Sequence, residues 1–412
     1  MIARAESFSR SAEALRAALV TALAVGVFLV SWGVIHHGFY RRHHIPDTPV
    51  YQRYGDAIVE GRVPYRDFAV EYPPGALPFF ALPALSNEGD DDGFRHAFEA
   101  LIWVAGALAV VFAALALRGV GAARPRTWAA LAFISLAPLA LGSVVLSRYD
   151  LWPAAITIAA VAALAFGRTR IGSAALGLGF ATKLYPGLLL PLALAHAWRR
   201  RGAREALRSA TAFLAVVAAV VLPFLALSPG GVWHSIVRQA TRPLQIESLG
   251  AGFLLVAHQL WGAGITMRSS AGSQNLVATG SGAIAAVQTV LQIGALIGIW
   301  FAYARGPADR ERLIRWSAAA VCAFVALGKV LSPQFLIWLV PLVPLVRGRR
   351  GVIASVFLAT ALVLTQVWFP FRYWRLALQF DATASWLVLA RDFVLLGLFT
   401  ALVWPERARA SR

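Results

Sequence analysis

The sequence predicts an all-α membrane protein, built as one bundle of about twelve membrane-spanning helices. Hydrophobic residues make up 59% of its 412 residues and charged residues only 14%, and the mean hydropathy is +0.66. A soluble fold of this length carries charge on about a quarter of its residues, so the composition excludes that class. Apolar runs of about 20 residues, the length that crosses a bilayer, recur along the chain, and basic residues separate them in an alternating pattern.

Uninterrupted apolar runs predict eight of the helices and give their order. They cover residues 17–35, 101–117, 127–147, 151–167, 209–233, 276–304, 330–346 and 351–371. Three further candidates are shorter or interrupted and cover residues 171–198, 316–328 and 382–404. The first run is long for the core of a signal peptide and no small-residue cleavage site follows it, so we expect it to be retained.

The segment at residues 171–198 is interrupted by Lys183 and Pro186, and the charges around it predict its path. A single crossing would put the basic residues 199–208 on the outer side, although Lys and Arg accumulate in cytoplasmic loops. We therefore expect two short helices that cross and return, with their turn at residues 183–186.

The net charge of +18 follows from the same topology. With both termini placed in the cytoplasm, nearly all of the basic excess falls in the predicted inner loops. We therefore expect no nucleic-acid partner and predict a multi-pass protein of the plasma membrane, with the lipid bilayer as its surroundings. Residues 1–412 are expected to form one domain, with a first extracytoplasmic loop at residues 37–96 and a second at 229–275.

The first outer loop is rich in acids, because nine carboxylates fall between Asp47 and Asp92. Tyrosines alternate with them, and we select Tyr51 and Tyr72 as substrate-binding candidates. Carboxylates bind sugar hydroxyls and aromatic rings pack on sugar C–H faces, so the pattern favours a carbohydrate substrate. The alternative is an ordinary solvated loop that carries an amphipathic interfacial helix at residues 49–60.

Two carboxylates of this loop are the catalytic candidates. Asp47 precedes Thr48 and Pro49, a pattern typical of a helix N-terminus, so it caps a helix, serves as a general base, or does both. Glu71 precedes two prolines that favour an extended backbone and lead into an apolar segment, which places Glu71 at the water–lipid boundary. It is expected to position the acceptor or the base, unless Pro73 and Pro74 simply end the loop.

Further polar groups recur at the predicted outer ends of the spans. They are Arg148, Asp150, Lys183, Tyr185, Arg242, Glu247, Lys329 and Gln334. Charges at such positions are costly and mark functional sites, although any single Lys or Arg can also extend its charged end to the membrane surface. Together they suit an anionic lipid phosphate whose head group reacts with a polyol. For Arg391 and Asp392 we favour a structural ion pair.

Several motifs are missing, and their absence narrows the chemistry. The sequence has no nucleotide-binding glycine loop and no HExxH zinc motif, and the lone Cys322 excludes an internal disulfide. Histidine pairs at residues 36–37 and 43–44 are weak metal candidates, so no metal and no cofactor is expected. An activated substrate must then arrive through the membrane, as a lipid-linked sugar does.

Six short motifs together resemble glycosyltransferase family 87. They are Asp-Thr-Pro-Val-Tyr at 47–51, Pro-Tyr-Arg-Asp-Phe at 64–68, Glu-Tyr-Pro-Pro at 71–74, Arg-Tyr-Asp at 148–150, Lys-Leu-Tyr-Pro at 183–186 and Ser-Pro-Gln-Phe at 332–335. The resemblance covers roughly residues 15–400. It implies the multi-spanning GT-C fold and a relationship to polyprenyl-phosphate-mannose-dependent α-1,2-mannosyltransferases.

The resemblance implies an inverting transfer of a hexose, with mannose expected, from a polyprenyl-phosphate donor to a glycolipid or glycan at the outer membrane face. Asp47 matches the position of the base in that family. We add that Arg148, Lys183 and Lys329 would stabilise the charge that develops on the phosphate. Mannosyltransferases of the family often carry Asp-Leu-x-Val-Tyr, so the Thr-Pro found here leaves the sugar and the acceptor open.

Two other functions are compatible with these patterns. A secondary transporter or lipid flippase would explain the broken segment at residues 171–198, because such proteins bind substrate between interrupted helices. Their polar residues lie near the middle of the membrane, however, whereas those of this chain gather at one edge. A transferase for another lipid-linked sugar fits the sequence as well as a mannosyltransferase does.

Overall fold

A computed structural model describes residues 2–41 and 45–405, with side chains for residues 13–40 and 45–405. The histidine pair at 43–44 and the basic tail at 407–412 lie outside the described residues. Helix accounts for 76% of the structure, which confirms a predominantly helical fold. The α-helices are α1 (Ile2–Val34), α2 (Thr48–Val59), α3 (Pro78–Ala84), α4 (Asp91–Gly119), α5 (Arg124–Leu141), α6 (Leu151–Ala165), α7 (Thr169–Thr182), α8 (Leu190–Arg201), α9 (Ala203–Leu227), α10 (Pro229–Ala240), α11 (Leu249–Trp261), α12 (Ser281–Arg305), α13 (Arg310–Leu327), α14 (Gly348–Trp368), α15 (Tyr373–Gln379) and α16 (Ala382–Val403).

Seven of the described helices are long and apolar enough to cross a membrane. They are α1, α4, α5, α9, α12, α14 and α16. Four shorter apolar helical segments accompany them, among them α6 and α11. Helix α13 lies at the centre of the bundle, with two thirds of its residues buried, whereas α9 and α12 expose most of their apolar side chains. This arrangement is that of a multi-pass helical membrane protein.

Helices α7 and α8 form the hairpin that the sequence predicts. At the start of α7, the Thr169 hydroxyl donates to Glu205 at 2.7 Å, and Arg170 lies 2.7 Å from the same carboxylate at the start of α9. Helix α8 ends at Arg201, directly before α9. The start of α7 and the end of α8 therefore lie at the same end of the bundle, and the turn that contains Lys183 lies at the other.

The apolar run at residues 330–346 is not the α-helix that its hydropathy predicts. It contains two short 3-10 helices, Pro333–Trp338 and Val343–Leu345, joined by irregular backbone. Prolines at 333, 341 and 344 remove backbone donors and prevent a continuous α-helix. The segment is nevertheless buried except at Val330 and Gln334, which are partly exposed, because the surrounding helices enclose it.

One end of the bundle, which we call the arginine end, is held together by arginine side chains. They bridge helix ends through contacts from Arg126 to Glu311 at 2.5 Å, Arg199 to the Gly306 carbonyl at 2.6 Å, Arg310 to the Gly119 carbonyl at 3.0 Å and Arg350 to the Trp404 carbonyl at 2.7 Å. Arginine donates hydrogen bonds to the free carbonyl groups of these helix ends, and its positive charge interacts favourably with the negative end of the helix dipole.

The opposite end, which we call the loop end, carries the long connections, α2, α10 and a β-hairpin. Strands β1 (Ile265–Ser270) and β2 (Ser273–Ala278) pair in antiparallel register, and the all-helical prediction missed them. Their two-residue turn has positive φ angles of 52° at Ala271 and 69° at Gly272, the backbone that closes a tight hairpin. Helix α2 confirms that a helix forms near residues 49–60, as the sequence indicates.

Candidate active site

Asp47 stands at the N-terminus of α2, but its side chain does not cap the helix. The backbone carbonyl of Asp47 accepts the first helical bonds from Val50 and Tyr51, while the carboxylate is turned toward Arg148. Arg148 Nε lies 3.0 Å from Asp47 Oδ2, and the Tyr51 hydroxyl donates to the same oxygen at 3.4 Å. Both described contacts therefore use Oδ2, and no described residue bonds to Oδ1, on a side chain that is 30% exposed.

Arg148 joins two segments that are about one hundred residues apart in the chain. It lies in the turn before α6, is 5% exposed, and its Nη2 donates to the Ile45 carbonyl at 2.9 Å while its Nε meets Asp47. Burial raises the pKa of Asp47 above its ordinary value, and the positive charge of Arg148 opposes that rise. The arrangement holds a carboxylate in a partly desolvated position, which suits a proton acceptor.

Lys183 lies at the turn of the α7–α8 hairpin and contacts Asp150. The Lys183 ammonium is 2.6 Å from Asp150 Oδ1, and Trp338 Nε1 donates to the same oxygen at 2.7 Å. The ammonium lies 4.6 Å from the ring centre of Tyr149 and 5.8 Å from that of Phe335. Fully buried Asp150 thus holds the cation in an aromatic cage, where cation–π attraction adds to the ion pair.

Asp47 and Lys183 belong to one electrostatic cluster. The Tyr51 ring, whose hydroxyl reaches Asp47, lies 5.8 Å from the Tyr149 ring, over which the Lys183 ammonium is placed. The charges of Arg148, Asp150 and Lys183 therefore act on the Asp47 carboxylate. Tyr72 extends the cluster as an aromatic wall, because its ring lies 5.7 Å from that of Tyr51. The structure therefore brings together five of the sequence-predicted residues around Asp47: Tyr51, Tyr72, Arg148, Asp150 and Lys183.

Tyr185, which the sequence singles out as a substrate-binding candidate, packs in the helical core. Its ring stacks on Trp338 at 4.2 Å, and its hydroxyl lies 3.1 Å from the Thr157 hydroxyl in the helical core. It therefore supports Trp338, which in turn holds Asp150. Neither Trp338 nor its bond to Asp150 is foreseen from the sequence, because a tryptophan in an apolar segment carries no positional signal.

A second group of buried charges lies beside Arg148. Glu247, which precedes α11, is 1% exposed, and its carboxyl Oε2 has no hydrogen-bond partner among the described residues. Burial raises the pKa of Glu247 to about 8, against the opposing charges of Arg391 and Arg148. Arg391 lies 2.8 Å from Asp392 and donates to the Glu247 carbonyl at 2.8 Å, which agrees with a structural ion pair at residues 391–392.

Arg242 is a cation without a fixed counter-ion. Burial lowers the pKa of its guanidinium, and the negative charge of Glu71 opposes that fall. In the described part of the chain, Arg242 has no ion pair, and its Nε is buried without a hydrogen-bond partner. It is therefore available to an anionic ligand near the Asp47 cluster.

Glu71 lies among the connections at the loop end and does not contact Asp47. Its carboxylate is 3.1 Å from Arg238 of α10, and its backbone carbonyl accepts from Gln239 at 2.8 Å. The turn at Gly272 of the β-hairpin packs against the same carboxylate. Arg238 was not singled out from the sequence, since it stands on an amphipathic helix where a surface arginine is common.

Lys329 and Gln334 flank a bend in the chain between α13 and the 3-10 helix that begins at Pro333. Lys329 Nζ donates to the Ala240 carbonyl at 3.2 Å. Among the described contacts of Lys329, none involves Asp47, Arg148 or Asp150. Gln334 is partly buried beside Phe335. The structure thus places Lys183, and not Lys329, in the cluster around Asp47.

Among the residues with described side chains, no group of three or more His, Cys, Asp or Glu residues is arranged to hold a metal ion. His36, one of the metal candidates, uses Nδ1 at the Trp32 carbonyl and Nε2 at Glu99.

The comparisons with known proteins agree with the motifs. No curated protein matches this chain. The model of Glycosyltransferase family 87 matches residues 70–333, well over half of the sequence. The matched region includes Arg148, Asp150, Lys183 and Glu247 and begins after Asp47. Because the match spans most of the helical bundle and its polar cluster, the chain belongs to glycosyltransferase family 87.

Proposed function

We propose that this membrane glycosyltransferase moves a hexose, with mannose as the expected sugar, from a polyprenyl-phosphate donor to a glycolipid or glycan acceptor. The observation that carries the proposal is the ion pair of Asp47 with Arg148, in one electrostatic cluster with the Lys183–Asp150 pair, at the loop end. A carboxylate and two cations in one cluster suit a reaction that removes a proton from a hydroxyl and releases a phosphate.

In the proposed step, the acceptor oxygen attacks the anomeric carbon of the donor from the side opposite the phosphate. The new C–O bond forms as the bond from the anomeric carbon to the phosphate oxygen breaks, and configuration inverts. The electron pair of the broken bond leaves on the polyprenyl phosphate, and the acceptor proton moves to Asp47 Oδ1. The described contacts of the carboxylate use Oδ2, which leaves Oδ1 as the proposed acceptor of this proton.

Cationic side chains would stabilise the departing phosphate. Lys183 keeps two ammonium hydrogens beyond the one directed at Asp150, and Arg242 has no fixed counter-ion. Arg148 is oriented by Asp47 and Ile45 and adds positive charge at the same position. Preorganised cations of this kind act where negative charge develops in the transition state.

Glu71 is proposed to position the acceptor. Its ion pair with Arg238 ties α10 to the end of the first outer loop, and Tyr72 next to it forms part of the wall beside Tyr51. We assign Tyr72 to sugar packing, and Tyr51, the other sequence candidate, to its support, because Tyr51 is 1% exposed and its ring stacks on Phe80 at 4.7 Å. Lys329 and Gln334 are proposed as outer contacts of the substrates, and the buried Glu247 as an inner one.

We also infer about twelve crossings of the plasma membrane, with both termini and the arginine end in the cytoplasm. The return path of α7 and α8 supports this count, as do the arginines that bridge helix ends at one end of the bundle. The acid-rich outer loop and the Asp47 cluster would then face outward, where polyprenyl-linked sugars meet envelope acceptors.

The test is a transfer assay with purified protein in detergent. Polyprenyl-phosphate-mannose and a membrane glycolipid extract are mixed with the protein, and mass spectrometry follows the glycolipid. The proposal expects one hexose to be added, only when donor and protein are both present. Movement of the lipid across proteoliposome bilayers without any glycosylated product would instead support a flippase.

A further inference from the structure

A cavity of about 390 Å³ opens at the loop end, away from the contacts of Asp47. It lies between residues 65–70 of the first outer loop and the start of α10. Its walls include Tyr65, Arg66, Phe68, Gly230, His234 and Arg238. Pockets that hold small molecules have volumes of roughly 300–1,000 Å³, so this cavity has room for a sugar unit.

The loop that forms the cavity is held in a fixed shape. The Ser228 hydroxyl donates to the Tyr65 carbonyl at 3.0 Å, and the Tyr65 hydroxyl donates to the Tyr72 carbonyl at 2.6 Å. Tyr65 has a φ of 69°, an uncommon backbone for a non-glycine residue. A loop tied at both ends gives a preformed cavity, which reduces the ordering that binding requires.

The arginines of the cavity are paired with carboxylates, and this charge balance favours a neutral ligand. Arg66 pairs with Asp67 at 2.8 Å, and Arg238 pairs with Glu71 at 3.1 Å. A phosphate would have to compete with both carboxylates for these cations. A neutral polyhydroxyl ligand can instead bond to the paired groups and pack one face on the ring of Phe68.

The cavity is linked to the Asp47 cluster by a row of aromatic rings. The ring of Phe68 stacks near that of Tyr54 at 6.1 Å, and the ring of Tyr54 lies 6.4 Å from that of Tyr72. Tyr72 neighbours Tyr51, whose hydroxyl reaches Asp47. The rings of Phe68, Tyr54 and Tyr72 are partly exposed and offer successive packing surfaces to a chain of sugars, whereas the ring of Tyr51 is buried.

Helix α10 places the cavity at the level of lipid head groups. Trp233 and Ile236 of this helix are 65% and 46% exposed, whereas Val232 and Ser235 are buried on its other face. Exposed tryptophan is typical of the boundary between membrane and water. The sugar head group of a glycolipid lies at this boundary.

We propose that this cavity is a subsite for the acceptor, which binds a neutral sugar of the acceptor glycan on the far side of Tyr72 from Asp47. The assignment rests on the proposed transferase function and adds where and by which residues the acceptor is held.

Gly230→Trp provides the test, with Gly282→Trp as the matched control. Both glycines are the second residue of a helix at the loop end and have open space where a side chain would begin, but only Gly230 lines the cavity. The indole at 230 should fill the cavity, and that at 282 should not. Binding of methyl α-D-mannopyranoside is measured by saturation-transfer NMR in detergent, independently of transfer activity.

The proposal expects the NMR signal of the mannoside to be lost in Gly230→Trp and kept in Gly282→Trp. In the transfer assay, Gly230→Trp should raise the acceptor KM at least about tenfold, a change of one decade in affinity, while the donor KM stays unchanged. Equal signals in the two variants, or an unchanged acceptor KM, would overturn it.

A second variant tests the subsite independently, in case Gly230→Trp does not fold. His234→Ala removes one exposed polar group of the cavity wall and should raise the acceptor KM by roughly two- to tenfold, the value of one hydrogen bond; an unchanged KM for a folded protein speaks against the subsite. If the wild type binds the mannoside in this cavity but transfers no sugar, the proposed function fails and the sugar site stands.

Discussion

Replacing Asp150 by asparagine is expected to reduce both the stability of the protein and its turnover. Asp150 is fully buried, and its Oδ1 accepts from Lys183 at 2.6 Å and from Trp338 at 2.7 Å. Asparagine keeps the shape but removes the counter-charge. The ammonium of Lys183, whose side chain is 16% exposed, would then stand in the aromatic cage without a carboxylate.

The size of the effect follows from this burial. Removing one partner of a buried ion pair costs about 3–5 kcal/mol, because the other charge is left uncompensated. The partial exposure of Lys183 places Asp150→Asn near the lower limit of that range. Adding Lys183→Met to Asp150→Asn removes the uncompensated charge. The double variant should therefore lose about 1–3 kcal/mol less stability than the two single variants lose together.

Unfolding in detergent and turnover together test the reasoning. Turnover should fall by roughly 10²–10³ in every variant that lacks Lys183, the loss typical of one group that stabilises developing charge. The double variant should therefore regain stability without regaining turnover. Wild-type stability of Asp150→Asn, or full turnover of the double variant, would refute the assigned role of this pair.

Four further outcomes are expected. The acidic limb of the pH profile of kcat/KM should lie above the value for an ordinary aspartate, because burial raises the pKa of Asp47 and the base must be ionised; a limb at the ordinary value contradicts this. Unfolding stability should fall as pH rises from about 4.5 towards 8, because the folded state binds the proton of Glu247 more tightly than the unfolded state does. Glu247→Gln should flatten this slope, and an unchanged slope would contradict the assignment. Trp338→Phe should cost about 1.5–3 kcal/mol, since it removes a hydrogen bond to a charged group, and thermal unfolding measures it. Gly177→Ala should destabilise the protein, because a Cβ would come within 2.6 Å of the Phe213 carbonyl, whereas Gly26→Ala meets open space and serves as its control.

The helical fold could be predicted because a membrane imposes two patterns on the sequence: long apolar helices, and basic residues in the loops between them. The return of α7 and α8 was predicted for the same reason, since a single crossing would have misplaced the charges after residue 198. Residues 330–346 show the limit of this reasoning. The hydropathy of this segment correctly predicts burial, but the prolines at 333, 341 and 344 prevent the α-helix that hydropathy also predicts.

Site residues could be predicted where a charged side chain stands in an apolar segment, because such a charge is costly to bury. They could not be predicted where their role depends on contacts with segments far away in the chain. Arg148 and Lys183 are charges at span ends, so the sequence singles them out. The choice between Lys183 and Lys329 depends on which turn folds toward Asp47, and no local pattern encodes that. Trp338 was missed because its role comes from one bond to Asp150.

The role of Asp47 is tested most directly by the rate of sugar transfer in Asp47→Asn. Glu60→Gln is the control, because Glu60 is an exposed carboxylate at the other end of α2. Loss of a general base should slow transfer by roughly 10²–10⁴ while donor binding persists, and Glu60→Gln should match the wild type. Transfer by Asp47→Asn at the wild-type rate would show that the acceptor proton leaves by another route.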